Sequence, residues 1–228
     1  MNAENAKQLV GQRAAELVDN GMRVGLGTGS TTNFFIDALS ERKLDIICVP
    51  TSKASELRAR EKGLKLATLD EVPELDITID GADEIGPHLS LIKGGGAALL
   101  FEKIVAFASK KMIVIADESK IVETLGRFPL PIEVMPFGLG ATKLAIETVC
   151  KKLDLSGEIK LRKTKTDETL VTDGGHFILD AHLQKIPDPQ AFAAMLSSIP
   201  GVVEHGLFLN MTSYALIAGE NSVREITI

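Results

Sequence analysis

Apolar residues recur at helical spacing through residues 3–19, at Ala6, Leu9, Val10, Ala14, Leu17 and Val18, which predicts an amphipathic helix closed near Gly21. Residues 22–26 form a short, mainly apolar run of the kind a buried strand shows, and a helical pattern resumes over 32–39. The same alternation continues: a strand over 46–49, a helix over 52–62 ended by Gly63, and a strand over 76–79. A helix over 96–109, apolar almost all round and so expected to be buried, and a strand over 112–116 follow. Strands that alternate with helices predict a mainly parallel sheet with helices on both faces, an α/β arrangement. In such sheets ligands sit at the carboxyl ends of the strands.

The pattern changes near Phe128. Phe128-Pro129-Leu130-Pro131 and Pro136 mark a crossover. Beyond it come a strand over 132–135, a helix over 141–152, strands around Ile159, Leu170 and Phe177, a helix over 190–197 and a strand over 202–204. Strands outnumber helices there, as in an α+β unit. The runs 214–218 and 224–228 are strand-like and are expected to rejoin the first sheet. The domain reading is therefore 1–130 with 206–228 as the α/β domain, and 131–205 as a smaller α+β domain between them.

Length and charge narrow the function. At 228 residues the chain suits one large domain or two modest ones. Hydrophobic residues make 45% and charged residues 25%, which excludes a disordered chain. The net charge of −6 argues against a broad nucleic-acid surface while leaving room for a locally positive site for a small anion. Cys48 and Cys150 are too isolated for a disulfide framework or a metal motif and fit reduced, cytoplasmic thiols. The N-terminal residues lack the pattern of a signal peptide, and no apolar run is long enough to cross a membrane.

Three segments can carry chemistry. Gly27-Thr28-Gly29-Ser30-Thr31 lies between a strand and a helix N-terminus, where backbone N–H groups and hydroxyls can cradle a phosphate; a tight turn with a Ser or Thr cap is the plainer reading. Asp80-Gly81-Ala82-Asp83-Glu84 gathers three carboxylates, fitting a polyhydroxylated or cationic partner, a magnesium ion or an acidic turn in solvent. Lys93-Gly94-Gly95-Gly96 sets an ammonium before open backbone, ahead of a helix that carries Glu102 among Ala98, Leu99, Val105 and Ala106. A buried carboxylate there suits a general base, and a structural ion pair is the alternative. Lys160, Arg162, Lys163 and Lys165 suggest a solvated face. His176, Asp180 and His182 share a strand face without a further ligand for a metal.

These segments, with Glu102-Lys103-Ile104, Ile115-Ala116-Asp117, Ser119-Lys120, Phe128 through Val134, Val171-Thr172-Asp173, Ile178-Leu179-Asp180 and Ile199 through Glu204, closely resemble the ribose-5-phosphate isomerase type A family. Gly175-His176 is a local departure. The resemblance implies interconversion of ribose 5-phosphate and ribulose 5-phosphate in the pentose phosphate pathway, with no metal or organic cofactor. It implies Glu102 as the base, Lys93 as the stabiliser of the enediolate, and Asp80 and Asp83 as holders of sugar hydroxyls that help open the ring. It extends substrate binding to Thr28, Gly29, Ser30, Thr31, Gly81, Ala82, Gly94, Gly95, Gly96, Lys120 and Lys7. It implies a Rossmann-like α/β domain with a smaller inserted α+β domain, and a homodimer or homotetramer. A sugar-phosphate sensor, a coenzyme A transferase using Glu102 as nucleophile, and an amino-sugar-phosphate deaminase are the competing readings.

Overall fold

The structure, a computed structural model, describes residues 3–219 and 222–227. In chain order its elements are α1 (Ala3–Ala15), β1 (Arg23–Leu26), α2 (Ser30–Glu41), β2 (Ile47–Pro50), α3 (Lys53–Glu61), β3 (Ile77–Asp80), β4 (Glu84–Ile85), β5 (Leu91–Ile92), α4 (Leu99–Phe107) and β6 (Met112–Asp117). They continue as β7 (Leu130–Val134), α5 (Leu139–Lys152), β8 (Glu158–Leu161), β9 (Phe177–His182), α6 (Pro189–Ser197), β10 (Val202–His205), β11 (Leu207–Phe208), β12 (Thr212–Ala218) and β13 (Val223–Ile226). The chain divides into two compact units: Met1–Ala82 with Phe101–Ile121 and Asn210–Ile228, and Asp83–Leu100 with Val122–Leu209.

The first unit is built on a six-stranded sheet in the order β2-β1-β3-β6-β12-β13. All neighbours are parallel except β12 and β13. The tail thus rejoins the first sheet as expected, although Ile228 lies outside the described residues. Strand side chains alternate between faces. Val24, Leu26, Ile79, Ile113 and Ile115 pack with Val10 and Ala14 of α1 and Phe35, Ile36 and Leu39 of α2. On the other face Val49 and Leu75 pack with Val105 of α4. A Cβ on Gly25 would lie 2.7 Å from Val105 Cγ1 and 2.0 Å from Thr78 Oγ1, so glycine there is what admits α4 to the sheet. Helices on both faces explain why β3 is buried along its whole length.

The second unit has an antiparallel sheet, β10-β7-β9-β8, and a small antiparallel sheet, β11-β5-β4. Leu130, Ile132, Val134, Leu179 and Ala181 pack against Ile146 and Val149 of α5 and Phe192 and Leu196 of α6. Segments 83–100, 122–130 and 206–209 fall in this unit rather than with the parallel sheet. The reason is pairing: β4, β5 and β11 bond to one another, and the Glu84 carboxylate accepts the backbone N–H groups of Gly126 at 2.7 Å and Phe128 at 2.5 Å.

Three local expectations are corrected. No strand forms around Leu170; Lys163 and Thr169 make one isolated bridge, because the Thr164 hydroxyl accepts the N–H groups of Thr166 and Glu168 and folds the segment into a turn. Helix α4 begins at Leu99, three residues later than expected, since Ala97 takes φ 61°. That helix is not buried all round either: Phe101, Ile104 and Phe107 face solvent.

Candidate active site

Within the first unit the chain runs from β1 out to β2 and returns across β1 to β3, so the strand order reverses between β1 and β3. A crevice at the carboxyl ends of two such strands is where this architecture places ligands. Both predicted loops are there. Gly27 N–H donates to Ile79 O at 2.9 Å. The Asp80 side chain is fully buried, and its Oδ1 accepts the N–H groups of Thr28 at 3.1 Å and Gly81 at 2.7 Å. A Cβ on Gly27 would lie 2.1 Å from that oxygen, so glycine makes the carboxylate's seat.

Gly29, at φ 128°, stands at the N-cap of α2, and among the described residues no side chain caps that helix. Its first-turn N–H groups therefore face the same edge without a side-chain cap, which favours the anion cradle over the capped turn. Lys7 Nζ donates to Ser30 Oγ at 2.8 Å and brings positive charge to this helix end. The Thr28 hydroxyl lies 2.8 Å from Thr51 Oγ1 and donates to Ser52 Oγ at 2.7 Å, so Thr28 is braced by two hydroxyls that the sequence did not single out. Thr31 is half-buried, and Lys120, half-buried, closes the short 3-10 turn that follows β6 at the same edge.

Glu102 lies in the first turn of α4 and is 3% exposed. The helix end that leads into β6 is fixed at the opposite edge of the sheet, where Ala108 O accepts Leu75 N–H at 2.9 Å and Thr78 Oγ1 lies 2.6 Å from Ser109 Oγ. The first turn accordingly starts from the carboxyl edge. A carboxylate on an otherwise apolar helix face, at the edge that carries the Gly27 loop and Asp80, is shielded from bulk water, which is what a general base needs.

The second unit holds the remaining residues. Asp83 Oδ2 accepts Gly95 N–H at 2.8 Å. Lys93 is 2% exposed; its N–H donates to Gly206 O at 2.9 Å, and its ammonium lies 5.4 Å from the centre of the Phe208 ring. Gly94 takes φ 105°, and a Cβ on Gly206 would come within 2.2 Å of Lys93 O. Gly95 and Gly96 are exposed. Ala82 is half-buried and ends the first unit's share of the acidic loop. That loop is divided by role: Glu84 is spent on the backbone at Gly126 and Phe128, while Asp80 and Asp83 each support a glycine loop.

Other candidates resolve differently. Lys160, Lys163 and Lys165 are exposed, but Arg162 is not: it forms an ion pair with Asp180. His176 Nδ1 lies 3.0 Å from Glu133 Oε1, which also accepts from Thr172 Oγ1 at 2.7 Å, so His176, Asp180 and His182 do not act as one set. Among the described residues no group of three or more His, Cys, Asp or Glu is placed to hold a metal ion. Burial pushes the Cys48 thiol up to about 12 and the Cys150 thiol up to about 11, as expected of inert core cysteines.

The model of the family described as ribose 5-phosphate isomerase A (phosphoriboisomerase A) matches residues 47–222, and that of the DeoR C-terminal sensor domain matches residues 2–69. A ribose-5-phosphate isomerase A of Rhodopseudomonas palustris (strain TIE-1) is 56% identical over 229 residues, covering 99% of both chains. The ribose 5-phosphate isomerase of Plasmodium falciparum superposes with a TM-score of 0.92 at 38% identity over 99% of both chains. A D-ribose-5-phosphate isomerase solved in complex with phospho-erythronic acid superposes with a TM-score of 0.92 at 37% identity over the whole of both chains. By sequence along nearly its whole length, and by fold, the chain belongs to the ribose 5-phosphate isomerase A family.

Proposed function

We propose that this chain is an aldose–ketose isomerase that interconverts D-ribose 5-phosphate and D-ribulose 5-phosphate in the non-oxidative pentose phosphate pathway, through an enediolate and without a metal. The observation that carries the reading is the buried Glu102 carboxylate, set at the carboxyl edge that also bears the uncapped N-terminus of α2. Glu102 takes the proton from C2 of the open-chain aldose. The C2–H electron pair becomes the C1=C2 bond, and the carbonyl electrons move to O1. Returning the proton to C1, with transfer of the O2 proton to O1, gives the ketose. The Lys93 ammonium balances the enediolate charge, which exists only along the reaction and so acts on kcat. Asp80 and Asp83 hold sugar hydroxyls and assist ring opening. Thr28, Gly29, Ser30 and Thr31 take the phosphate with Lys7 and Lys120. Gly81, Ala82 and Gly94, Gly95 and Gly96 supply close backbone. The ligand of the solved relative, phospho-erythronic acid, fits this chemistry, because its carboxylate spreads negative charge over two oxygens as an enediolate does.

A single-chain sensor is the weaker reading, since the sensor-domain match ends at residue 69, before Asp80, Lys93 and Glu102. Self-association into a homodimer or homotetramer is supported by exposed apolar side chains, with Phe107 at 87% and Phe137 at 91%. A cytoplasmic location fits two buried, unpaired thiols. The deciding experiment is conversion of ribose 5-phosphate by purified protein with and without EDTA. Equal turnover in both supports the proposal; turnover abolished by EDTA contradicts its metal-free step, and no turnover by folded protein contradicts the activity.

A further inference from the structure

We infer that Arg162 and Asp180 are positioning residues for the Lys93 loop, a role that rests on the reading of Lys93 given above. Arg162 follows β8 directly, and Asp180 lies in β9, the strand bonded to it. The guanidinium grips the carboxylate with both prongs, Nε on Oδ2 at 2.8 Å and Nη2 on Oδ1 at 2.5 Å. Its third nitrogen, Nη1, donates to Gly94 O at 2.7 Å and Gly95 O at 3.3 Å. The two side chains are 13% and 16% exposed, so water competes weakly for these bonds.

The loop needs such a grip. Three successive glycines have the most backbone freedom to lose. Gly94 stands at φ 105°, and Ala97 is held in the left-handed region at φ 61°, which a residue with a Cβ adopts only when its surroundings impose it. Four bonds impose it: Ala97 N–H to Gly94 O at 3.0 Å, Gly95 N–H to Asp83, and Arg162 on the Gly94 and Gly95 carbonyls. The Gly94 peptide is the next link of the chain after Lys93, so turning it moves the lysine. Only a planar fork joins a bidentate carboxylate to a backbone carbonyl; a lysine ammonium offers one point of charge.

The test uses the full chain carrying Arg162→Met, Arg162→Lys or Asp180→Asn, alone and with Lys93→Ala. Arg162→Met is expected to lower kcat about 10²-fold, the cost of a small misplacement of a reacting group, with a smaller rise in KM as the Gly94 and Gly95 backbone loosens. Arg162→Lys and Asp180→Asn are expected to fall between it and the parent, and they carry the test if Arg162→Met does not fold. In the Lys93→Ala background Arg162→Met should cost almost nothing more in kcat, since that effect runs through the lysine. Multiplying losses, or a fall in Tm with unchanged kcat, would overturn the proposal in favour of a purely structural role. If Lys93→Ala alone keeps full activity, the reading of Lys93 fails; hydrogen exchange at Gly95 and Gly96 then decides separately, faster exchange in Arg162→Met supporting the grip and unchanged exchange overturning it.

Discussion

The two glycine loops present the same kind of open backbone but are held by different means. In the first unit, the loop after β1 is braced by what lies beside it in the parallel sheet: Asp80 takes the Thr28 N–H, and Gly27 bonds to Ile79 O, its neighbour across the strand pair. In the second unit, the loop after Lys93 is braced by side chains that arrive from residues 162 and 180, and the lysine itself by Gly206 and Phe208. A parallel sheet provides a carboxyl edge as a property of its topology. An isolated loop on a small antiparallel sheet must have its edge built by particular side chains. The first arrangement draws its side-chain brace, Asp80, from the neighbouring strand of the same sheet; the second draws its brace from residues 162 and 180, far along the chain.

The largest effect expected is that of Glu102→Gln, a loss of at least about 10³ in kcat with an unchanged Tm, measured by steady-state turnover and thermal unfolding. Lys93→Ala should cost about 10²–10³ in kcat, because it removes charge stabilisation that only the enediolate uses. Gly27→Ala and Gly206→Ala sharpen the comparison directly. Their new methyl groups would meet Asp80 Oδ1 at 2.1 Å and Lys93 O at 2.2 Å, so each should cost about 1–3 kcal/mol in denaturant unfolding. Thr31→Ala should raise KM about tenfold and spare kcat, as the loss of one hydrogen bond to a charged phosphate does.

The smallest effect concerns the edge of the sheet away from these loops. Asp76 accepts bonds from Arg23 and from Lys110 Nζ at 2.8 Å, and these hold its carboxyl well below the usual carboxylate range. A depressed carboxylate stabilises the fold above its unfolded value, about 3.9, and that contribution fades as pH falls through the unfolded and then the folded value. Asp76→Asn should therefore lower Tm at pH 6–7 and converge on the parent as pH drops below about 4.

The same contrast explains what the sequence disclosed. Strand–glycine loop–helix order is local, so the loops at Gly27 and Asp80, the buried Glu102 and the return of the tail to the first sheet could all be read from spacing. Arg162 could not: it sits among Lys160, Lys163 and Lys165, and nothing local separates the one cation that turns inward from the three that face water. Phe208, Gly206 and the bracing pair Thr51 and Ser52 were missed for the same reason, since their partners are distant in sequence. The surface of α4 misled in the other direction. An apolar helix suggests full burial, whereas Phe101, Ile104 and Phe107 lie exposed on the single chain. The acidic loop was ambiguous because Asp80, Asp83 and Glu84 look alike in sequence and differ only in which backbone N–H groups they accept.

The account stands on proton transfer through an enediolate, and the most direct measurement is isomerisation of ribose 5-phosphate in deuterium oxide, followed by NMR at C1 and C2 with EDTA present. The account expects solvent deuterium to enter those carbons over many turnovers at a rate EDTA does not change. Product formed at full rate with no deuterium at either carbon, and lost when EDTA is added, would mean a metal-assisted hydride shift and would contradict it.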